Sequence, residues 1–191
     1  MIRSILFKLK NLLRFPINLY KKNKISINAR LSKNVLISQS KIGFNTYIGC
    51  NVVINNTTIG NYCSIAPGVQ IGGMEHSFWW YSTSTFLSDQ CVSDKITTIG
   101  HDVWIAAGSI IKQGISIGDG SVIGAMSFVN KDVPQNSIVF GNPARFYKHR
   151  FTEDVFKEIS SSRFWELNQK EAQLIINKLK MKSVLKELDI K

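Results

Sequence analysis

The amino-acid sequence predicts an all-β chain wound as a triangular parallel coil of about five turns, with one extruded loop, a helical N-terminal segment and helices at the C-terminus. Three observations predict it. An aliphatic residue returns every five or six positions from Ile25 onward, and a small or polar residue follows it nearly every time. Isoleucine outnumbers leucine by 25 to 13, and 13 glycines stand against 4 prolines, a balance suited to short strands joined by tight turns.

The series runs Ile25, Leu31, Ile37, Ile42, Ile48, Ile54, Ile59, Ile65, Ile71 and, after a gap, Ile99, Ile105, Ile111, Ile117, Ile123 and Val129. A period of six fits neither the 3.6 residues of a helical turn nor the alternation of a plain strand. It fits a strand of a few residues followed by a sharp corner. Three such units close one turn, and each turn stacks on the last at about 4.8 Å, so the fifteen units make five coils. Seven of the thirteen glycines, Gly43, Gly49, Gly60, Gly72, Gly100, Gly118 and Gly124, follow the aliphatic directly, where a small residue is expected to let the backbone turn. The fourth position after it is mostly small or β-branched, as in Thr46, Cys63, Val69, Val103, Ser109 and Ser127.

The organisation follows in three parts: an N-terminal segment over 1–24, the coil over 25–145 and a helical extension over 146–191. In the first, Ile2, Ile5, Leu6, Leu9, Leu12 and Leu13 form one helical stripe with Arg3, Lys10 and Arg14 opposite, and Pro16 ends the stretch. Two readings stand: a helix capping the open first coil, or peripheral membrane contact through residues 1–15. In the coil, a continuing repeat would place its next aliphatic at residue 77, yet the frame resumes at Ile99, so residues 77–98 are expected to be an extruded loop. In the extension, Thr152 followed by Glu153 and Asp154 reads as a helix start. Helical spacing of Ala172, Ile175, Ile176 and Leu179 marks a second helix over 169–188, and the pair is expected to cover the far end of the coil or clamp a neighbour.

A formal charge of +11 would suggest a nucleic-acid partner if it were spread along the fold. It is not: residues 1–24 hold seven bases and no acid, residues 25–151 nine against six, and the remainder eight against seven. No nucleic-acid role is therefore expected. Cys50, Cys63 and Cys91 are odd in number and lack metal-ligand spacing, which points to a reducing, cytoplasmic setting rather than a disulfide framework. Lys8 and Lys10 interrupt the apolar run that a secretory leader would need, and no run of about 18 apolar residues is present.

Three strings sharpen the reading: "IGNYCSIAPGVQIG", "TTIGHDVWIAAGSIIKQGISIGDGSVIGAMSFVNKDVP" and "GNPAR". With them the sequence resembles the hexapeptide-repeat acyltransferases, in particular the maltose and galactoside O-acetyltransferases and the xenobiotic and polysaccharide acetyltransferases. "HRF", two helical stretches and "RFWEL" in 146–191 look most like the last branch. The resemblance implies a left-handed parallel β-helix, assembly as a homotrimer, and transfer of an acetyl group from acetyl-CoA to a hydroxyl, most simply on a sugar of a surface polysaccharide. It leaves open a xenobiotic O-acetyltransferase of the chloramphenicol or streptogramin type and an amino-sugar N-acetyltransferase.

Site residues follow from the same match. His76 is the last residue before the loop leaves the coil, where the family carries its catalytic histidine, and an imidazole suits removal of a hydroxyl proton. The bland alternative is an exposed corner residue. Glu75 is a weak candidate to orient it, since neighbours on a strand point to opposite faces. Trp79, Trp80 and Tyr81, with Phe78 and Phe86, either stack on a sugar or pack against a neighbouring subunit. Coenzyme A is expected along the coils after the gap, with Ala107 and Ala125 offering backbone groups to the pantetheine arm, Asn130, Lys131, Arg145 and Lys148 flanking the adenosine and phosphates, and Trp104 near the acyl end. The family often has threonine where Asn130 stands. His101 is expected to be a solvent-facing turn residue and His149 a surface one; the three histidines lack the close pairing of the zinc enzymes that share this fold, so no metal is expected.

Overall fold

The computed structural model describes residues 22–87 and 94–188, with side chains to 181. The expected N-terminal helix therefore lies outside the described residues, as do Cys91 and part of the 77–98 loop.

Within them the repeat folds into three parallel sheets that form the sides of a prism. The first sheet stacks β1 (Lys24–Ile25), β4 (Lys41–Ile42), β7 (Thr57–Ile59), β10 (Thr97–Ile99) and β13 (Ser116–Ile117). The second stacks β2 (Arg30–Leu31), β5 (Tyr47–Ile48), β8 (Ser64–Ile65), β11 (Trp104–Ile105), β14 (Val122–Ile123), β16 (Ser137–Gly141) and β17 (Ala144–His149). The third stacks β3 (Leu36–Ser38), β6 (Val53–Asn55), β9 (Gln70–Ile71), β12 (Ile110–Ile111) and β15 (Phe128–Val129). Register puts like on like: Ile42 on Ile59, Ile48 on Ile65 and Ile54 on Ile71, and across the gap Ile59 on Ile99 and Ile71 on Ile111. The repeated aliphatics are thus the core itself, and Ile48, Ile65, Ile105, Ile111 and Ile123 are fully buried. The long loop runs from β9 in the third sheet to β10 in the first without disturbing the register, and its closure entropy grows only logarithmically with length.

Two expectations about the coil are corrected. The coil does not stop after five turns. Val133 bridges Ile117, and β16 adds Ile138 and Val139 on Val122 and Ile123, so a sixth, incomplete turn is present. The spacing from Val129 to Val133 is four, which hid it from a count of sixes. β17 then folds back antiparallel on β16 and ends the sheet.

The second correction concerns the corners. Of the seven glycines behind the aliphatics, only Gly72 has a positive φ. The turn is made two residues later, by left-handed backbone at Asn34, Asn45, Asn51, Tyr62, Asp102 and Met126 and by Gly68, Gly108, Gly114 and Gly120. The glycines behind the aliphatics answer a different need. A Cβ at Gly60 would stand 2.5 Å from the carbonyl oxygen of Gly100 in the next coil, so the close approach of stacked corners leaves no room for it.

The inward corner positions are hydroxyls for more than their size. Thr46 Oγ1 donates to the Gly60 carbonyl at 2.8 Å and accepts from the Cys63 N–H at 3.1 Å, and Ser127 Oγ donates to the Gly124 carbonyl at 2.7 Å and accepts from the Gly141 N–H at 3.1 Å. Each satisfies corner backbone that the ladders cannot reach.

The C-terminal helices lie along the flank, where the first sheet turns into the second, rather than over an end. α1 (Glu153–Ser162) carries Glu153 and Asp154 in its first turn and buries Phe156 near Gly120. Asn168 Oδ1 accepts from the N–H groups of Lys170 and Glu171, starting α2 (Gln169–Leu188). Between them a short 3₁₀ turn (Phe164–Glu166) sets Phe164 against Tyr62 at 5.9 Å between ring centroids. Arg150 anchors the approach, donating from Nη1 to Asp102 Oδ2 at 2.8 Å and to the Gly120 carbonyl at 3.1 Å. No helix among the described residues is long and apolar enough to cross a membrane.

Candidate active site

The chain leaves the coil after β9 through Gly72 and Gly73, both at positive φ, and His76 lies at the root of the loop with its side chain exposed. Its Nδ1 is 2.7 Å from the carbonyl oxygen of Thr83. A carbonyl can only accept, so Nδ1 carries the proton and Nε2 is left as the basic nitrogen. Orientation thus comes from the backbone of the loop, not from Glu75, whose carboxylate pairs with Lys112 Nζ at 3.2 Å. Sequence reasoning could not have found Thr83, because the group used is one that every residue has. The loop bends back by N–H bonds from Phe78 to the His76 carbonyl and from Trp80 to the Ser77 carbonyl, with Ser77 buried beneath.

Beyond His76 the loop turns its rings outward. Phe78 is 79 % exposed, Trp79 59 %, Tyr81 100 % and Phe86 97 %. Phe78 and Trp79 meet edge to face at 5.2 Å, as do Trp80 and Tyr81 at 5.4 Å.

Among the residues expected to meet coenzyme A, Ala107 and Ala125 occupy the same corner in consecutive coils, between the second and third sheets, and both are exposed. The Ala107 carbonyl already accepts from the Met126 N–H at 2.9 Å. Asn130 and Lys131 follow β15 at the next corner, the one from which the His76 loop departs two coils earlier. Lys131 and Arg145 line one depression of about 250 Å³, with Phe146, Ala144, Val133 and Asp132 among its other walls. Lys148 does not line it; its ammonium lies 5.7 Å from the centroid of the Tyr147 ring. Trp104 projects outward from β11, half exposed, between Ser64 and Val122.

Two other candidates are settled by their surroundings. Cys63 is fully buried, its Sγ 3.1 Å from the Gly100 carbonyl, and burial pushes its thiol up to about 12, so it stays protonated and is no nucleophile. His101 is not the solvent-facing turn residue expected. It is half-buried, its ring stacks on Trp165 at 5.8 Å and 7°, and its Nδ1 accepts the Asn61 N–H at 3.0 Å. Its own N–H donates to Asp119 Oδ1 at 2.6 Å. His149 is exposed, as expected. Desolvation raises the neighbouring Asp102 carboxyl above its ordinary range, and the Arg150 guanidinium opposes that rise.

Comparison with known proteins agrees with the repeat fold. The family model "Bacterial transferase hexapeptide (six repeats)" matches residues 39–73 and 96–131, the coils on either side of the loop. A chloramphenicol acetyltransferase of Agrobacterium fabrum is 36 % identical over 120 residues, which is 56 % of this chain and 57 % of the relative. A probable macrolide acetyltransferase of Lysinibacillus sphaericus is 33 % identical over 126 residues, 59 % of this chain and 70 % of the relative. Among solved structures, a galactoside acetyltransferase in complex with coenzyme A has a TM-score of 0.60 and 28 % identity, covering 80 % of this chain and 82 % of that one. The chain belongs to the hexapeptide-repeat transferase family. It spans a little over half the length of the chloramphenicol acetyltransferases it matches.

Proposed function

We propose that the protein is an acetyl-CoA-dependent O-acetyltransferase acting on a sugar hydroxyl, in the assembly of a surface polysaccharide. The observation that carries the reading is the bond from His76 Nδ1 to the Thr83 carbonyl, which leaves Nε2 as the unprotonated ring nitrogen at the base of an extruded loop. In the reaction, the acceptor hydroxyl oxygen attacks the acetyl carbonyl carbon while His76 Nε2 takes its proton. The carbon–sulfur bond then breaks, and the imidazolium returns the proton to the departing thiolate, so no covalent enzyme intermediate is needed. Lys131 and Arg145, sharing one depression, suit the phosphates of coenzyme A, and the exposed small corners at Ala107 and Ala125 suit a thin pantetheine chain.

A homotrimer belongs to this proposal. The expected donor contacts fall on two edges of the prism, and corners six residues apart are separated by up to about 20 Å of extended chain. A donor on the alanine edge of one copy is most simply completed by the histidine edge of another. The outward row of the third sheet supports contact between copies: Leu36, Val53 and Ile110 are exposed there, against Lys24, Lys41 and Thr98 on the first sheet. Light scattering at micromolar concentration is expected to return three times the chain mass; a monomer mass would contradict it.

The similarity to chloramphenicol acetyltransferases favours a second reading, acetylation of a xenobiotic alcohol. A screen of free, nucleotide-activated and lipid-linked sugars, with chloramphenicol alongside and labelled acetyl-CoA as donor, separates the two. Label is expected on a sugar as an alkali-labile ester. Label on chloramphenicol alone would replace the first reading with the second, and alkali-stable label would indicate an amine acceptor.

A further inference from the structure

Resting on the acetyl-transfer reading, we propose that the loop after His76 selects acceptors that are uncharged and present a broad apolar face beside the reacting hydroxyl, and disfavours anionic ones. The twelve residues from His76 to Leu87 contain no Asp, Glu, Lys or Arg. Phe78, Trp79, Tyr81 and Phe86 are exposed, in the same loop whose Thr83 carbonyl orients the base, so the surface beside His76 in the chain is aromatic and uncharged. The charges at the loop's roots come in opposite pairs. Glu75 meets Lys112 at 3.2 Å, and the exposed Asp94 and Lys95 are adjacent on the returning side. The cations that would receive an anion are gathered instead at Lys131 and Arg145, two coils along the same edge.

An acceptor phosphate or carboxylate drawn among Phe78, Trp79, Tyr81 and Phe86 would lose hydration and gain no charged partner from residues 76–87, whereas a pyranose face or an aryl ring stacks at no such cost. The loop discriminates through what it lacks as much as through what it offers. The same chemistry is met by a neutral glycoside and by an aromatic alcohol, and the two arms below separate them.

Calorimetric titration of the full-length protein with p-nitrophenyl glucoside, p-nitrophenyl glucuronide and p-nitrobenzyl alcohol tests the proposal without requiring turnover. The glucoside is expected to bind at least about 10-fold more tightly than the glucuronide, which carries a carboxylate in place of the C6 hydroxymethyl group. Trp79→Ala and Tyr81→Ala are each expected to weaken glucoside binding about 3- to 10-fold with the circular dichroism spectrum unchanged. Benzyl alcohol binding that matches the glucoside assigns the selectivity to the aryl ring, and weaker binding assigns it to the sugar face; either supports the proposal. Glucuronide binding equal to or tighter than glucoside binding, no measurable glucoside binding, or indifference to both ring variants would overturn it. Selective binding with no acetyl transfer would support the selectivity while overturning the transfer reading. Equal transfer to glucoside and glucuronide would do the reverse.

Discussion

Two histidines stand at corners of the same coil, twenty-five residues apart, and the direction of one hydrogen bond separates their roles. At His76 the Nδ1 faces a carbonyl oxygen and must donate, so Nε2 is the ring nitrogen left to accept a proton. At His101 the Nδ1 faces the Asn61 N–H and must accept, so the proton sits on Nε2, while Trp165 covers the ring. One ring is presented to solvent by a loop. The other is a staple between a coil corner and the C-terminal helices. The partner's chemistry, more than the residue type, decides which ring nitrogen is left without a proton.

The largest effect expected from this contrast is on turnover. His76→Ala is expected to lower acetyl transfer about 10²- to 10⁴-fold, the usual loss on removing a general base, with thermal stability little changed. An His76→Ala protein keeping more than about half of wild-type turnover would break the contrast. His101→Ala is expected to act the other way. Leaving the Asn61 N–H without its acceptor and Trp165 without its stacking partner should cost about 1–3 kcal/mol in denaturant unfolding, with turnover per folded molecule preserved.

A smaller effect sharpens the same comparison. Asp102, at the stapled corner, has its folded carboxyl raised by desolvation, so the folded state favours the protonated acid. The resulting stabilisation is present below the ordinary carboxylate value of 3.8 and is lost as pH rises through the raised one. Asp102→Asn removes that titration. The stability of the wild type relative to the variant is therefore expected to fall as pH increases across the carboxylate range, and a flat difference would show that Arg150 cancels the burial.

The contrast also marks what the sequence could disclose. The core was legible because every turn repeats one inward aliphatic, and a periodic signal survives a 27-residue interruption between Ile71 and Ile99. The last turn was not, because two residues are missing between Val129 and Val133. The glycines stood out in the repeat, but what they do there did not. Contact between coils is long-range, and nothing local in "IG" distinguishes a residue that turns the chain from one that makes room for the next coil. At the site, His76 was legible as a polar residue where the repeat breaks. Thr83 and Asn61 were invisible, since each acts through its backbone. Trp165 was seen in "RFWEL", but only folding brings it over His101, 64 residues earlier in the chain.

The most direct test of these roles is the position of the ring proton on each histidine. A long-range proton–nitrogen correlation spectrum of the protein labelled with nitrogen-15 in its imidazoles, recorded in mildly alkaline buffer and assigned with His76→Ala and His101→Ala, reads it without any substrate. The proton is expected on Nδ1 in His76 and on Nε2 in His101. A proton on Nε2 in His76, or the same tautomer in both rings, would contradict the assignment of base and staple.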